Sequence, residues 1–163
     1  MPSDTLITLA TRVGAKLKAQ GLMLATAESC TGGWVAQAVT AIAGSSDWFD
    51  RGFVTYSNAA KHEMLGVSAG TLARHGAVSE QTAREMAAGA LVHSRAQVAL
   101  AITGIAGPSG GSPEKPVGTV CFAWSRKGAA PVAQTRQFKG DRKSVRRQSV
   151  RAALRGTLDL LEG

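Results

Sequence analysis

Aromatic side chains make up only 5% of the sequence, cysteine occurs twice and histidine three times. No apolar run approaches the roughly 18–20 residues that a bilayer-spanning helix requires, which excludes that class of protein. Cys30 and Cys121 show no paired metal-ligand spacing and are too few for a disulfide framework, so both are expected as reduced, small apolar residues. His62, His75 and His93 are scattered along the chain, and no metal site is expected. The N-terminal "MPSDTLITLATRVG" has no basic segment ahead of a long apolar stretch. That pattern argues against a secretory signal and makes the cytoplasm the expected location.

What is present is the composition of a globular protein: 163 residues, 44% apolar and 18% charged. Residues 1–163 are expected to form one domain. A chain of this length buries about 68–70% of its unfolded surface, enough for an ordinary core. The net charge of +8 is uneven, because Arg136 to Arg155 holds eight of the nineteen basic residues and a single acid, Asp141. This points to a local basic helix and not to a surface coated for nucleic acid.

Helical periodicity marks residues 4–19, with Asp4 as the expected cap and Gly21 as the stop. A strand is expected at 22–27, a helix buried on nearly every face at 31–43, and a second strand at 51–57. A short helix carrying Lys61 and Met64 should end near Gly66, and Ser79 should cap a helix over 80–94. "QVALAIT" (97–103) reads as a central strand covered on both faces. The glycine- and proline-rich stretch 104–118 reads as a loop within the domain, "TVCFAW" and "VAQTRQF" as a hairpin, and 142–161 as a final helix. The expected fold is a layered α/β/α arrangement with a mixed, mostly parallel central sheet.

Ligands of open α/β sheets bind beyond the carboxyl ends of strands. Three polar clusters fall at such ends: Glu28-Ser29-Cys30-Thr31-Gly32-Gly33, then Tyr56-Ser57-Asn58 with Lys61, and Thr103-Gly104 with the loop that includes Gly107. Ser29 reads either as a helix N-cap worth about 1 kcal/mol or as a nucleophile. No histidine is placed to serve it. Lys61 could act as its base if burial lowered the amine pKa, and otherwise reads as a solvated helix lysine. The backbone N–H groups of Thr31, Gly32 and Gly33 suit a phosphate or an oxyanion, or simply make a glycine-rich turn. On the last helix Arg147, Arg151 and Arg155 should face water, while Arg142 and Arg146 fall inside the apolar arc. Those two need an anionic partner or an exit to solvent, either a substrate phosphate or an acid such as Asp141.

"TAESCTGG", "VTYSNAAKHEMLGV", "HGAVSEQTAREMAAGA", "AITGIAGPSGGSPEKPVGTV" and "FKGDRKSVRRQSV" together resemble the C-terminal domain of the competence/damage-inducible CinA family, the nicotinamide-nucleotide amidohydrolases. The resemblance runs in order from about residue 5 to residue 160, and it matches the stand-alone form that lacks the additional N-terminal domain of longer members. It implies hydrolysis of the carboxamide of nicotinamide mononucleotide, without metal or redox cofactor. Ser29 is then the expected nucleophile, Lys61 its base, and Tyr56 and Thr103 polar supports. Glu28, Cys30, Thr31, Gly32, Gly33, Asn58, Gly104, Gly107 and Arg142 are the expected substrate-binding residues. A homo-oligomer, as a dimer, is also implied. Two rival readings belong to other classes: a nucleic-acid-associated protein, suggested by the basic helix, and a nucleotide-binding module without turnover. Against the first, the charge is confined to one element and no reader motif is present.

Overall fold

A computed structural model describes residues 5–163. The elements run α1 (Leu6–Gln20), β1 (Leu24–Glu28), α2 (Trp34–Thr40), β2 (Phe49–Val54), α3 (Asn58–Leu65), α4 (Ala69–His75), α5 (Glu80–Val92), β3 (Val98–Gly104), β4 (Thr119–Arg126), β5 (Val132–Gln137) and α6 (Arg142–Glu162). The five strands form one sheet in the order β2-β1-β3-β4-β5. β1 pairs in parallel with β2 and β3, whereas β3–β4 and β4–β5 are antiparallel. Only β4 therefore runs against the others, and β1, β2, β3 and β5 all finish at one edge.

Side-chain size divides the two faces. Leu24 of β1, Val98, Leu100 and Ile102 of β3, and Val120, Phe122 and Trp124 of β4 pack with Leu9, Val13 and Leu17 of α1 and Val145, Val150, Leu154 and Leu158 of α6. The alternate residues Ala25, Ala27, Ala99, Ala101, Cys121 and Ala123 meet Ala83, Met86, Ala87 and Ala90 of α5. Small side chains on both surfaces bring α5 close to the sheet. Gly89 then lets α5 touch the end of α3, where a Cβ would sit 1.9 Å from the Leu65 carbonyl oxygen. The apolar run of β3 thus conceals a period of two in residue volume.

Several local expectations need correction. The expected Asp4 cap lies outside the described residues, and Thr5 caps α1 by accepting from the Thr8 N–H. The first strand lies two residues later at its start and includes Glu28, and the second begins at Phe49 and ends at Val54. The helix expected over 31–43 is only Trp34–Thr40, and just Val35 and Val39 are buried along it. Its alanines lie at the margin of the layer, so apolar composition overstated its burial. α4 was not foreseen; Ser68 caps it through the Gly70 and Thr71 N–H groups. Helices ending at Gly21 and Gly66 do so in left-handed conformations, at φ 68° and 70°, which cost glycine little.

The chain leaves β1 for β2 on one side, then crosses through α3–α5 to reach β3 on the other. Ser29 therefore follows β1 at the point where the strand order reverses, the place where such sheets open a crevice.

Candidate active site

The backbone seats Ser29 firmly. Its N–H donates to the Ile102 carbonyl at 3.0 Å, and the Glu28 carbonyl accepts from the Thr55 N–H at 2.8 Å. Both neighbouring strands thus hold the turn at the end of β1. Glu28 is fully buried, and its carboxylate accepts from the Thr31 hydroxyl at 2.6 Å, the Val35 N–H at 2.9 Å and the Ala36 N–H at 3.0 Å. The start of α2 already holds an anion, and it belongs to the protein. Gly32 and Gly33 take positive φ values of 60° and 102°, which turn the chain from strand into helix.

Lys61 enters from α3, whose N-terminus Ser57 caps by accepting from the Ala60 N–H. This lysine is 1% exposed, and its Nζ lies 3.0 Å from Ser29 Oγ and 2.9 Å from the Thr55 carbonyl oxygen. Neither partner carries a negative charge. Burial consequently pushes the Lys61 pKa down from its ordinary value, against a smaller opposing influence of Cys30. The thiol of Cys30 is pushed up to about 12, chiefly by burial, and stays protonated at neutral pH. The hydroxyl, not the neighbouring thiol, is the side chain paired with the Lys61 amine.

A cleft of about 280 Å³ opens over this pair. Ser29, Cys30, Tyr56, Asn58, Lys61, Thr103, Gly104, Gly107 and Arg142 all line it. Of the expected site residues, Glu28, Thr31, Gly32 and Gly33 are not among its lining residues; they build the turn around Ser29. Thr103 is buried and donates its hydroxyl to the Ala77 carbonyl at 2.8 Å. Tyr56 is 62% exposed at the mouth, where its hydroxyl accepts from Arg142 Nη2 at 3.0 Å. Arg142 Nη1 donates to the Gly107 carbonyl at 2.7 Å, so the guanidinium spans the mouth between α3's leading loop and the glycine-rich loop.

Of the two alternatives for these arginines, an ion pair with Asp141 is not the one formed. The Asp141 carboxylate caps α6 by accepting from the Ser144 N–H, and Arg146 donates to the carbonyls of Cys30 and Thr31. Sequence reasoning also missed Ala77 and Val78, which line the cleft from the loop after α4. It missed the Thr55 carbonyl as well, since a main-chain acceptor leaves no mark in residue type. Among the described residues, no group of three or more His, Cys, Asp or Glu side chains is placed to hold a metal ion, and no helix is long and apolar enough to cross a membrane.

Comparison with known proteins finds relatives over nearly the whole chain. Residues 6–161 match the family model described as the CinA C-terminal domain. The chain is 56% identical over 154 residues to a nicotinamide-nucleotide amidohydrolase PncC of Escherichia coli K12, covering 94% of this chain and 93% of that protein. It is 55% identical over 158 residues to the protein of the same name from Enterobacter agglomerans, covering 97% and 96% of the two chains. The crystal structure of the competence/damage inducible protein CihA from Agrobacterium tumefaciens superposes with a TM-score of 0.92 at 50% identity, covering 97% and 96%. With sequence and fold in agreement, the chain belongs to the CinA C-terminal domain family.

Proposed function

We propose that this chain hydrolyses the carboxamide of nicotinamide mononucleotide to nicotinate mononucleotide and ammonia, with Ser29 as nucleophile and Lys61 as base. The observation that carries the reading is the buried Lys61 amine 3.0 Å from Ser29 Oγ at the floor of a cleft. The names of the relatives supply the substrate.

In the first step neutral Lys61 takes the Ser29 proton while Oγ bonds to the carboxamide carbon, and the carbonyl π electrons move to oxygen. The N–H groups of the Cys30–Thr31 turn are the donors for that oxyanion. As the carbonyl re-forms, the C–N bond breaks and Lys61 delivers the proton to nitrogen, releasing ammonia and leaving a nicotinoyl ester on Ser29. Water then attacks the ester carbon, giving its proton to Lys61. The C–Oγ bond breaks, and Oγ recovers that proton. Thr103, held by Ala77, shapes the wall beside the reacting group. Arg142 is the cation of the cleft mouth, and its present partners are a phenol and a carbonyl. A substrate phosphate can replace either with a stronger, charge-assisted bond. A salvage reaction on this nucleotide belongs to the cytoplasm.

The test is ammonia release by the purified protein from nicotinamide mononucleotide, nicotinamide riboside and nicotinamide. The mononucleotide is expected to be turned over far faster than the other two. Binding without ammonia would instead identify a nucleotide-binding module, and retention on DNA without ammonia a nucleic-acid-associated protein.

A further inference from the structure

Arg146 lies outside the cleft and takes no part in the proton transfers above, yet it grips the turn that carries Ser29. Its Nε donates to the Cys30 carbonyl at 3.0 Å and its Nη2 to the Thr31 carbonyl at 3.1 Å. The guanidinium rests over the Trp34 ring, 5.4 Å from the centroid, and the residue is half-buried. Trp34 opens α2 directly after the turn, so ring and carbonyls fix the guanidinium from two directions.

Two consecutive carbonyls held by one rigid fork leave the turn little rotational freedom. The Cys30–Thr31 peptide is trans, so its N–H points opposite to its C=O. Drawing the Cys30 carbonyl toward α6 turns the Thr31 N–H away from α6. A charge-assisted bond to a carbonyl also polarises its peptide group and strengthens the N–H as a donor. From the other side, the Glu28 carboxylate holds the Thr31 hydroxyl and the first amides of α2. The turn is therefore clamped between a buried anion and a cation delivered from 115 residues further along the chain.

We infer that Arg146 is a positioning residue for the amidase reaction: its fork on the Cys30 and Thr31 carbonyls sets the turn so that the backbone N–H groups receive the oxyanion formed at Ser29. The inference rests on the amidase reading for its substrate, but the reactivity of Ser29 can be measured without that substrate. Two variants, Arg146→Ala and Arg146→Lys, are compared with the parent protein by ammonia release from nicotinamide mononucleotide and by the rate at which a fluorophosphonate labels Ser29. Arg146→Ala is expected to lower kcat about 100-fold, as loss of an oxyanion donor does, with KM within about three-fold. Labelling should slow in parallel, and added ethylguanidinium should restore part of both. Arg146→Lys keeps the charge and loses the fork, and is expected to lower kcat about ten-fold. It serves as the decisive variant if Arg146→Ala does not fold. Parent-like kcat and labelling in a folded variant, or a raised KM with unchanged kcat, would overturn the inference and leave the amidase reading standing. Slowed labelling in the variants, with no ammonia from the parent protein, would support the positioning role and remove the substrate.

Discussion

The parallel and antiparallel halves of the sheet contribute to the site in different ways. β1, β2 and β3 all finish at the cleft, and each brings polar groups there at or beyond its end: Ser29 after β1, the Thr55 carbonyl and then Lys61 after β2, and Thr103 in the last residues of β3. The β4–β5 hairpin places none of its side chains in the cleft. Its part is to return the chain to the same edge, so that α6 begins there with Arg142 at the mouth and Arg146 behind the turn. The polar groups of the cleft floor come from three strand ends, and the cations Arg142 and Arg146 come from a helix the hairpin positions.

Substitutions at the strand ends should therefore abolish turnover without unfolding the protein, and substitutions where the hairpin packs on α6, away from Arg142 and Arg146, should do the reverse. Ser29→Ala is expected to reduce ammonia release by at least about 10⁴-fold, as removal of a covalent nucleophile does, with an unchanged thermal transition; the two are read by ammonia assay and calorimetry. Lys61→Met should cost about 10³-fold or more in kcat and should raise stability. The sign follows from linkage. The folded protein holds the Lys61 proton less tightly than the unfolded chain, so the buried ammonium's penalty is complete at low pH. That penalty disappears as pH rises from the depressed folded pKa to the ordinary lysine value. The stability gain of Lys61→Met in denaturant titrations should accordingly be largest below the depressed pKa of the folded protein and shrink as pH approaches the ordinary lysine value.

Glu28→Gln lies on the border between the halves' behaviours. It removes the charge and sets an amide NH2 either against the Ala36 N–H or against the Thr31 hydroxyl and the Val35 N–H. A loss of about 2–3 kcal/mol is expected, read by urea denaturation, together with slower turnover because the Ser29 turn loosens. In the hairpin half, Gly156→Ala places a Cβ 2.1 Å from the Trp124 ring, whose indole N–H donates to the Ala153 carbonyl at 3.0 Å. It should cost about 1–3 kcal/mol through overpacking while kcat of the folded fraction stays near that of the parent. Arg151→Ala, on the exposed face of α6, should change neither stability nor turnover by a measurable amount.

The sequence made the helices other than α4, the sheet class and the three strand-end clusters legible, because those follow from periodicity and from where apolar runs stop. Residue type marked a serine at one strand end and a lysine after the next as candidates, each with a plain structural alternative, and their 3.0 Å contact came only with the fold. Other features depend on atoms that residue type does not display. Lys61 is held by a main-chain carbonyl, Arg146 reads two more, and the anion at the start of α2 is Glu28 instead of a ligand. Glu28 looked like a site residue because of its neighbours, yet its place inside β1 turns the carboxylate behind the cleft. The brevity of α2 was hidden for a related reason. Alanines sustain a helical pattern whether or not they are covered.

The central claim is that a neutral Lys61 activates Ser29, and the pH dependence of kcat/KM for ammonia release from nicotinamide mononucleotide tests it most directly. The profile should rise with pH through an apparent pKa below the ordinary lysine value, and the Lys61→Met variant should lose that limb along with its activity. A profile without that rise, or one that the variant reproduces, would contradict the account.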